Sequence, residues 1–258
     1  MRESTSSTVP TLDFSGQVVL ITGATRGIGA AVADDMERAG AELILTGTNA
    51  QTIAEANRDA GERGRKVRYL QADFGDDASL ENFLSELSRI PRIDVCINNA
   101  GINKIDPIFD LTQADYERIT RVNLRAPTLV CASVCATMKA NGYGRIVNIA
   151  SIWSTATKGG RALYSMTKTG LVGLTRTVAV DMAPYNVLAN SVSPGFTRTE
   201  LTASTLSEDD AAAMAAQVPL NRFAEPAEMS KVIMFLASGL NTYLTGQNIV
   251  VDGGFTIV

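Results

Sequence analysis

Short apolar runs bounded by turn residues alternate along the chain with longer segments of helical period, the pattern of βα units repeated around a parallel sheet. The runs at 17–22, 42–46, 67–71, 95–98, 145–150, 187–192 and 248–251 predict strands, and seven of them fit one sheet. Helical period predicts helices at 27–39, 50–63, 79–90, 113–140, 163–183, 207–216 and 226–238. No internal repeat, low-complexity block or linker divides this series. The expectation is one α/β domain over residues 15–258, with helices on both faces of the sheet, preceded by a flexible Ser/Thr-rich tail at 1–14. The stretch 197–222, rich in Thr, Ser, Asp and Ala between the last two strands, is the expected mobile lid over a substrate.

Composition narrows the chemistry. The chain has 258 residues, 45% of them hydrophobic, enough for one large core. Its 23 Lys and Arg against 27 Asp and Glu give a net charge of −4, which provides no field to hold a polyanion and argues against a nucleic-acid partner. There is no histidine. That removes His-dependent nucleophile triads, His-ligated metal and imidazole acid/base chemistry, leaving Tyr, Lys and carboxylates to move protons. Three cysteines, Cys96, Cys131 and Cys135, are too few for a disulfide framework and suit a reducing compartment. Cys131 and Cys135 share a helical face, but without His or a CxxC spacing they read as small buried hydrophobes, and no metal is expected. The first ten residues lack the apolar core of a signal peptide, and no stretch approaches 18 uncharged apolar residues, so no membrane is expected and a cytoplasmic location is.

The segment VVLITGATRGIGAAVADDM reads as strand, glycine turn and helix. Gly23, Gly27 and Gly29 stand where the backbone must turn tightly and approach a phosphate held at the helix N-terminus, a dinucleotide-binding turn with G-x-x-x-G-x-G spacing. The second strand ends in Gly47, Thr48 and Asn49, with no carboxylate to select the free ribose 2′-hydroxyl. Arg26 in the turn is placed to pair with a 2′-phosphate, with Thr48 and Asn49 as hydrogen-bond donors, against the alternative of a solvated turn arginine. NADP(H) is the expected cofactor and NAD(H) the alternative.

Tyr164 and Lys168 lie four apart on a predicted helix and share a face. A nearby ammonium favours phenolate, so the pair suits acid/base work. Ser151 stands at the carboxyl end of the strand RIVNIAS, thirteen positions before Tyr164, where open α/β sheets bind ligands.

With TGATRGIG at 22–29, Asp73 after the third strand, NNAG at 98–101, Asn123 in RVNL, Ser151, YSMTK at 164–168, SPGFTRT at 193–199 and the closing GQNIVVDGG, the chain resembles the short-chain dehydrogenase/reductase family over residues 15–255. The resemblance implies a single Rossmann domain and hydride transfer between a nicotinamide and a carbonyl or secondary alcohol. It makes Tyr164 the acid/base, Lys168 the group that lowers its pKa and binds the nicotinamide ribose, Ser151 the partner of the substrate oxygen and Asn123 the holder of a relay water, with a helix kink as the alternative for Asn123. It assigns Gly23, Thr25, Arg26, Gly27, Ile28, Gly29, Thr48 and Asn49 to the cofactor, together with Tyr164 and Lys168. Asp73 and Phe74 fall to the adenine, and Asn99, Ala100 and Gly101 to the ribose and backbone path. Pro194, Gly195, Thr197 and Thr199 fall to the carboxamide and pyrophosphate. Members of the family commonly form homotetramers through two long helices, here 113–140 and 163–183, and the C-terminal strand.

The substrate is a small carbonyl or alcohol compound, with Trp153 and Arg161 as candidate contacts. Trp153 suits an apolar wall, with a core or interface position as the alternative. Lys104, Lys158 and Arg161 suggest cations converging on an anionic substrate, against solvated loop charges as the alternative. The chain is similar to 3-oxoacyl-(acyl-carrier-protein) reductases, but the basic carrier-docking positions of those proteins fall on Gly142 and Tyr185 here, and Leu188 and Ala189 replace the more frequent Arg and Val. A sugar-acid or polyol dehydrogenase of the same family is the second reading. A sugar-nucleotide epimerase or dehydratase is disfavoured by glycine spacing and length. A non-catalytic NADP-binding regulator is the alternative from another class, against which stand Asn123, Ser151, Tyr164 and Lys168, all present.

Overall fold

The computed structural model describes residues 11–200 and 208–258. Seven strands, β1 (Val18–Ile21), β2 (Glu42–Gly47), β3 (Val67–Gln71), β4 (Val95–Asn98), β5 (Gly144–Ile149), β6 (Val187–Pro194) and β7 (Asn248–Val251), form one sheet in the order β3-β2-β1-β4-β5-β6-β7. Every pairing is parallel. The order reverses between β1 and β4, which opens a crevice at their carboxyl ends. This is the expected seven-stranded Rossmann sheet.

The strands are continuous apolar runs because both faces are covered. Val19 and Ile21 of β1, Leu43 and Leu45 of β2 and Val95 and Ile97 of β4 enter one core with α1 (Gly27–Arg38) and α8 (Pro226–Ala237). The alternating Leu20, Ile44 and Cys96 enter the other, with α3 (Asp77–Leu87), α5 (Ala126–Asn141) and α6 (Ala162–Met182). Helix α2 (Ala50–Glu62) is capped by Asn49, whose side chain accepts from the Thr52 amide at 2.9 Å, and is tied to β3 by reciprocal bonds between Asn57 and the Tyr69 backbone.

The helix expected over 113–140 is interrupted. It starts as α4 (Gln113–Thr120), widens to a π-helical segment at Arg121–Arg125, and resumes as α5. Two features enforce the break. Pro127 has no amide to close the bond to the carbonyl of Asn123 four residues back, and the Ala126 amide bonds instead to Arg121. The Asn123 side chain is meanwhile drawn out to the backbone of Ile102, accepting from its amide at 2.8 Å and donating to its carbonyl at 2.8 Å.

Residues 1–10 of the expected tail lie outside the described residues. Phe14 is fully buried and Leu12 packs against the same core, so the boundary expected at residue 15 falls inside the packed body. Of the expected lid, 201–207 lie outside the described residues, as does the expected helix start at 207. On the far side of that gap is α7 (Glu208–Ala215), and Thr197 is bridged to Ala224. Among the described residues no helix is long and apolar enough to cross a membrane.

Candidate active site

The glycine turn connects β1 to α1 at the crevice. Gly23 and Gly27 have φ of +64° and +58°. A Cβ on Gly29 would stand 2.4 Å from the Gly23 carbonyl oxygen and 2.5 Å from Asn99 Nδ2, and one on Gly23 would stand 2.9 Å from Ala100 Cα. Side chains are excluded here so that the turn and the 98–101 segment can touch. Asn99 locks that contact, donating from Nδ2 to the carbonyls of Thr22 and Gly23 at 3.0 and 2.8 Å. Helix α1 begins without a side-chain cap and without an acid in its first turn, which leaves its N-terminal amides to an anion. This is a fit for a dinucleotide pyrophosphate.

Around it stand the other cofactor candidates. Thr25 and Arg26 are exposed, and Ile28 packs partly on the core. Arg26 faces Glu200 at 4.0 Å, and both side chains are well exposed, so the pair is loosely held. Thr48 is exposed at the end of β2, while Asn49 spends its Oδ1 on the α2 cap. Asp73 is exposed and folds its carboxylate onto the Gly75 amide at 2.9 Å. Phe74 is instead 5% exposed and packs edge-on against Phe83 in the core, so its side chain is not the adenine contact expected of it. Pro194 ends β6 and Gly195 follows it, lying so close to Asp252 that a Cβ would approach its Cα to 2.6 Å. The Thr197 hydroxyl donates to the Gly195 carbonyl at 3.2 Å, and Thr199 comes within 3.4 Å of a Cβ built on Gly27.

Four residues expected to work together do converge. Ser151 follows β5, accepts from the Trp153 amide at 3.2 Å, and acts on the Tyr164 phenol as a hydrogen-bond partner. Lys168 lies one turn beyond Tyr164 on α6 and is 3% exposed. A Cβ built on Gly101 would lie 3.3 Å from Lys168 Nζ and 3.5 Å from Asn123 Oδ1, so the Gly101 turn, α6 and the π segment meet at one point. A hydroxyl, a phenol and an ammonium at this point form a place to hold an oxygen and move a proton.

Burial pushes the Tyr164 phenol above its ordinary pKa, while the hydrogen bond with Ser151 and the charge of Arg161 pull the other way. Burial also lowers Lys168 to about 8. Its ammonium donates to the Ile149 carbonyl at 2.7 Å and stands 5.6 Å from the Tyr164 ring centroid. The charge of Arg161, three residues before Tyr164, is among the influences that favour the phenolate.

The three cations near the substrate side also part company. Lys104 is held by Asp106 at 3.0 Å and Asp115 at 2.6 Å, and Lys158 is exposed. Arg161 lies over the Trp153 ring, 5.7 Å from guanidinium carbon to centroid. Trp153 is 7% exposed and packs edge-on against Phe255 and Phe196, at 6.0 and 6.3 Å between centroids. Phe255, near the C-terminus, joins this aromatic group through the tertiary fold, with no local sequence signal to announce it. The proline that opens the helix at Asn123 was visible in sequence as Pro127.

Comparison with known proteins agrees with this geometry. Residues 23–256 match the family described as enoyl-(acyl carrier protein) reductase. The 3-oxoacyl-(acyl-carrier-protein) reductase FabG of Aquifex aeolicus is 38% identical over 245 residues, 94% of this chain and 98% of that protein. The Escherichia coli protein of the same name is 32% identical, with 96% and 100% covered. Among solved structures, one from Beutenbergia cavernae, assigned as an NAD(P) dependent gluconate 5-dehydrogenase with bound NADP at low occupancy, has a TM-score of 0.90 and 34% identity, covering 96% of this chain and 100% of that one. A gluconate 5-dehydrogenase from Burkholderia cenocepacia, in complex with NADP and tartrate, has a TM-score of 0.88 and 30% identity, with 96% and 98% covered. The chain therefore belongs to the short-chain dehydrogenase/reductase family, is similar to its 3-oxoacyl reductases, and is an oxidoreductase acting on the CH–OH/C=O couple.

Proposed function

We propose that the protein is an NADP(H)-dependent reductase of a small carbonyl compound, 3-oxoacyl reductase-like, with Tyr164 as the acid/base. The observation that carries this reading is the meeting of Lys168, Asn123 and Gly101 beside the Ser151 and Tyr164 hydroxyls, at the carboxyl end of β5 and next to the glycine turn. Gly23, Gly27, Gly29 and Asn99 would shape the pyrophosphate turn, Arg26 and Thr48 the 2′-phosphate end, and Asp73, Ala100 and Gly101 the adenosine path. Pro194, Gly195, Thr197 and Thr199 would border the nicotinamide. A nicotinamide bound there supplies or accepts the hydride.

The residues of the chain handle the oxygen. Ser151 donates to the carbonyl oxygen, and Tyr164 passes its phenolic proton to the same atom as negative charge develops on it. A phenol with a raised pKa starts protonated at neutral pH, as a proton donor for carbonyl reduction requires. Lys168 holds its ammonium between Ile149 and the Gly101 turn. There it would meet a ribose hydroxyl of the cofactor. The Asn123 side chain is fully engaged with Ile102 and Thr167, so Asn123 would hold a relay water through its backbone carbonyl, which Pro127 leaves without an amide partner four residues on.

A second reading, oxidation of a sugar acid or polyol, is favoured by the gluconate 5-dehydrogenase neighbours. The same residues then run in reverse. The molecule is read as a cytoplasmic homotetramer joined through the α4–α5 helix, α6 and β7. Support comes from Met166 and Val180, exposed by 42% and 74% on α6, and from three unpaired cysteines. Consumption of NADPH, with NADH in parallel, across a panel of ketones tests the reading, and gel filtration tests the assembly. Turnover preferring NADPH supports it; the absence of cofactor binding contradicts it.

A further inference from the structure

Arg161 is a partly buried cation beside the candidate active site with no carboxylate partner among the described residues, and unlike Lys168, which donates to the Ile149 carbonyl, it has a buried N–H with no acceptor. Lys104 is neutralised by two acids, and Lys158 is exposed. The Asp106 amide donates to the Gly160 carbonyl at 3.2 Å, but the Asp106 carboxylate turns to Lys104 rather than to Arg161. Arg161 Nε is buried with no hydrogen-bond partner, and its guanidinium carbon is fixed over Trp153. Leaving a buried guanidinium N–H unsatisfied is costly, and an arginine that stacks on an aromatic face while keeping its fork free is prepared for an oxyanion.

The position sets what the anion is attached to. Arg161 is the N-cap residue of α6 and stands three before Tyr164, one helical turn away, where Cβ atoms are about 5–6 Å apart. Its charge reaches the phenol. Helix α6 has no acid in its first turn and no side-chain cap, so the field around the guanidinium favours negative charge. The floor beneath it is the aromatic group of Trp153, Phe196 and Phe255, which excludes water and strengthens an ion pair.

We infer that Arg161 binds the carboxylate of the substrate, and that the substrate is a short oxo acid, or the matching hydroxy acid, whose carboxylate lies one or two carbons from the reacting carbon. This rests on the proposed reductase site. A bidentate pair with Arg161 sets the carbonyl against Ser151 and Tyr164, so the energy of anion binding is used to orient the reacting group. A neutral ketone of the same size loses that anchor.

Trp153, the only tryptophan in the chain, lies under Arg161 and reports on the site without turnover. The experiment titrates acetoacetate and its methyl ester into the NADP-loaded protein while following Trp153 fluorescence, and then measures NADPH-dependent reduction of both. Wild type, Arg161→Gln and Arg161→Lys are compared. The expected result is a fluorescence response to the acid and not the ester, and a kcat/KM favouring the acid by about tenfold or more. Arg161→Gln abolishes the fluorescence response and the acid-over-ester preference, with a rise in KM confined to the acid and any change in kcat, through the charge that reaches Tyr164, common to acid and ester, and Arg161→Lys restores part of the preference. A response to the acid that depends on Arg161, in a protein that reduces no carbonyl, would support the anion site while removing the reductase reading. Equal reduction of acid and ester by wild type, or an Arg161→Gln variant that keeps the acid-over-ester preference in kcat/KM, would overturn the anion site and leave the reductase in place.

Discussion

The Lys168 ammonium donates to the Ile149 carbonyl at 2.7 Å, which fixes a buried cation of α6 to the end of β5 two residues before Ser151. Among the described residues no carboxylate pairs with it. Burial lowers its pKa from the ordinary 10.5 to about 8, so between those values the folded protein binds fewer protons than the unfolded chain. Stability contributed through Lys168 therefore rises as pH goes from about 8 to 10.5, and below pH 8 the full cost of the buried ammonium remains. The expected size is about 3 kcal/mol. Urea unfolding of wild type and Lys168→Met should show the variant's relative stability greatest below pH 8 and shrinking toward pH 10.5. A difference that does not change with pH would show that Lys168 titrates normally.

Gly29 is the tightest point of the turn. A methyl group there meets the Gly23 carbonyl oxygen at 2.4 Å and the Asn99 amide nitrogen at 2.5 Å, neither of which is a free side-chain end. Gly29→Ala should cost about 1–3 kcal/mol and weaken cofactor binding through displacement of Asn99. Gly61, where a Cβ meets nothing within 4 Å, is the control. Gly61→Ala, inside α2, should raise the melting temperature slightly and leave cofactor titrations unchanged. Equal behaviour of the two variants would show that the turn relaxes freely.

The strands were legible in sequence because a sheet covered on both faces demands unbroken apolar runs, and the glycine turn because only glycine survives contacts such as Gly23 with Ala100. The break within 113–140 was harder to read. Its cause lies in Asn123 pairing with Ile102, 21 positions away, although Pro127 marked the place. The fate of the cations was not legible at all: Lys104, Lys158 and Arg161 look alike in sequence, and only the fold gives Lys104 two acids and Arg161 a tryptophan. Phe74 marks the opposite case, where a motif position carries a side chain that belongs to the core.

Arg26 is the residue proposed to separate the two nicotinamide cofactors. It is exposed, pairs among the described residues with Glu200 at the limit of pairing, and stands at the start of α1. Arg26→Ala should lower NADPH affinity about tenfold, through loss of a charge-assisted bond to the 2′-phosphate, with NADH affinity and melting temperature unchanged. Fluorescence titration with each cofactor measures this directly. An equal loss for both would move Arg26 to the shared pyrophosphate.

Tyr164 carries the central claim. With Ser151 beside it and Lys168 one turn on, it is the residue proposed as proton donor to the carbonyl oxygen, and no histidine exists in the chain to replace it. The decisive measurement is the rate of NADPH-dependent ketone reduction by Tyr164→Phe, with cofactor binding followed in the same preparation. A fall in kcat of about 10²-fold or more with the cofactor still bound is the predicted result. Turnover close to wild type in that variant would contradict the account and place the proton transfer on another group.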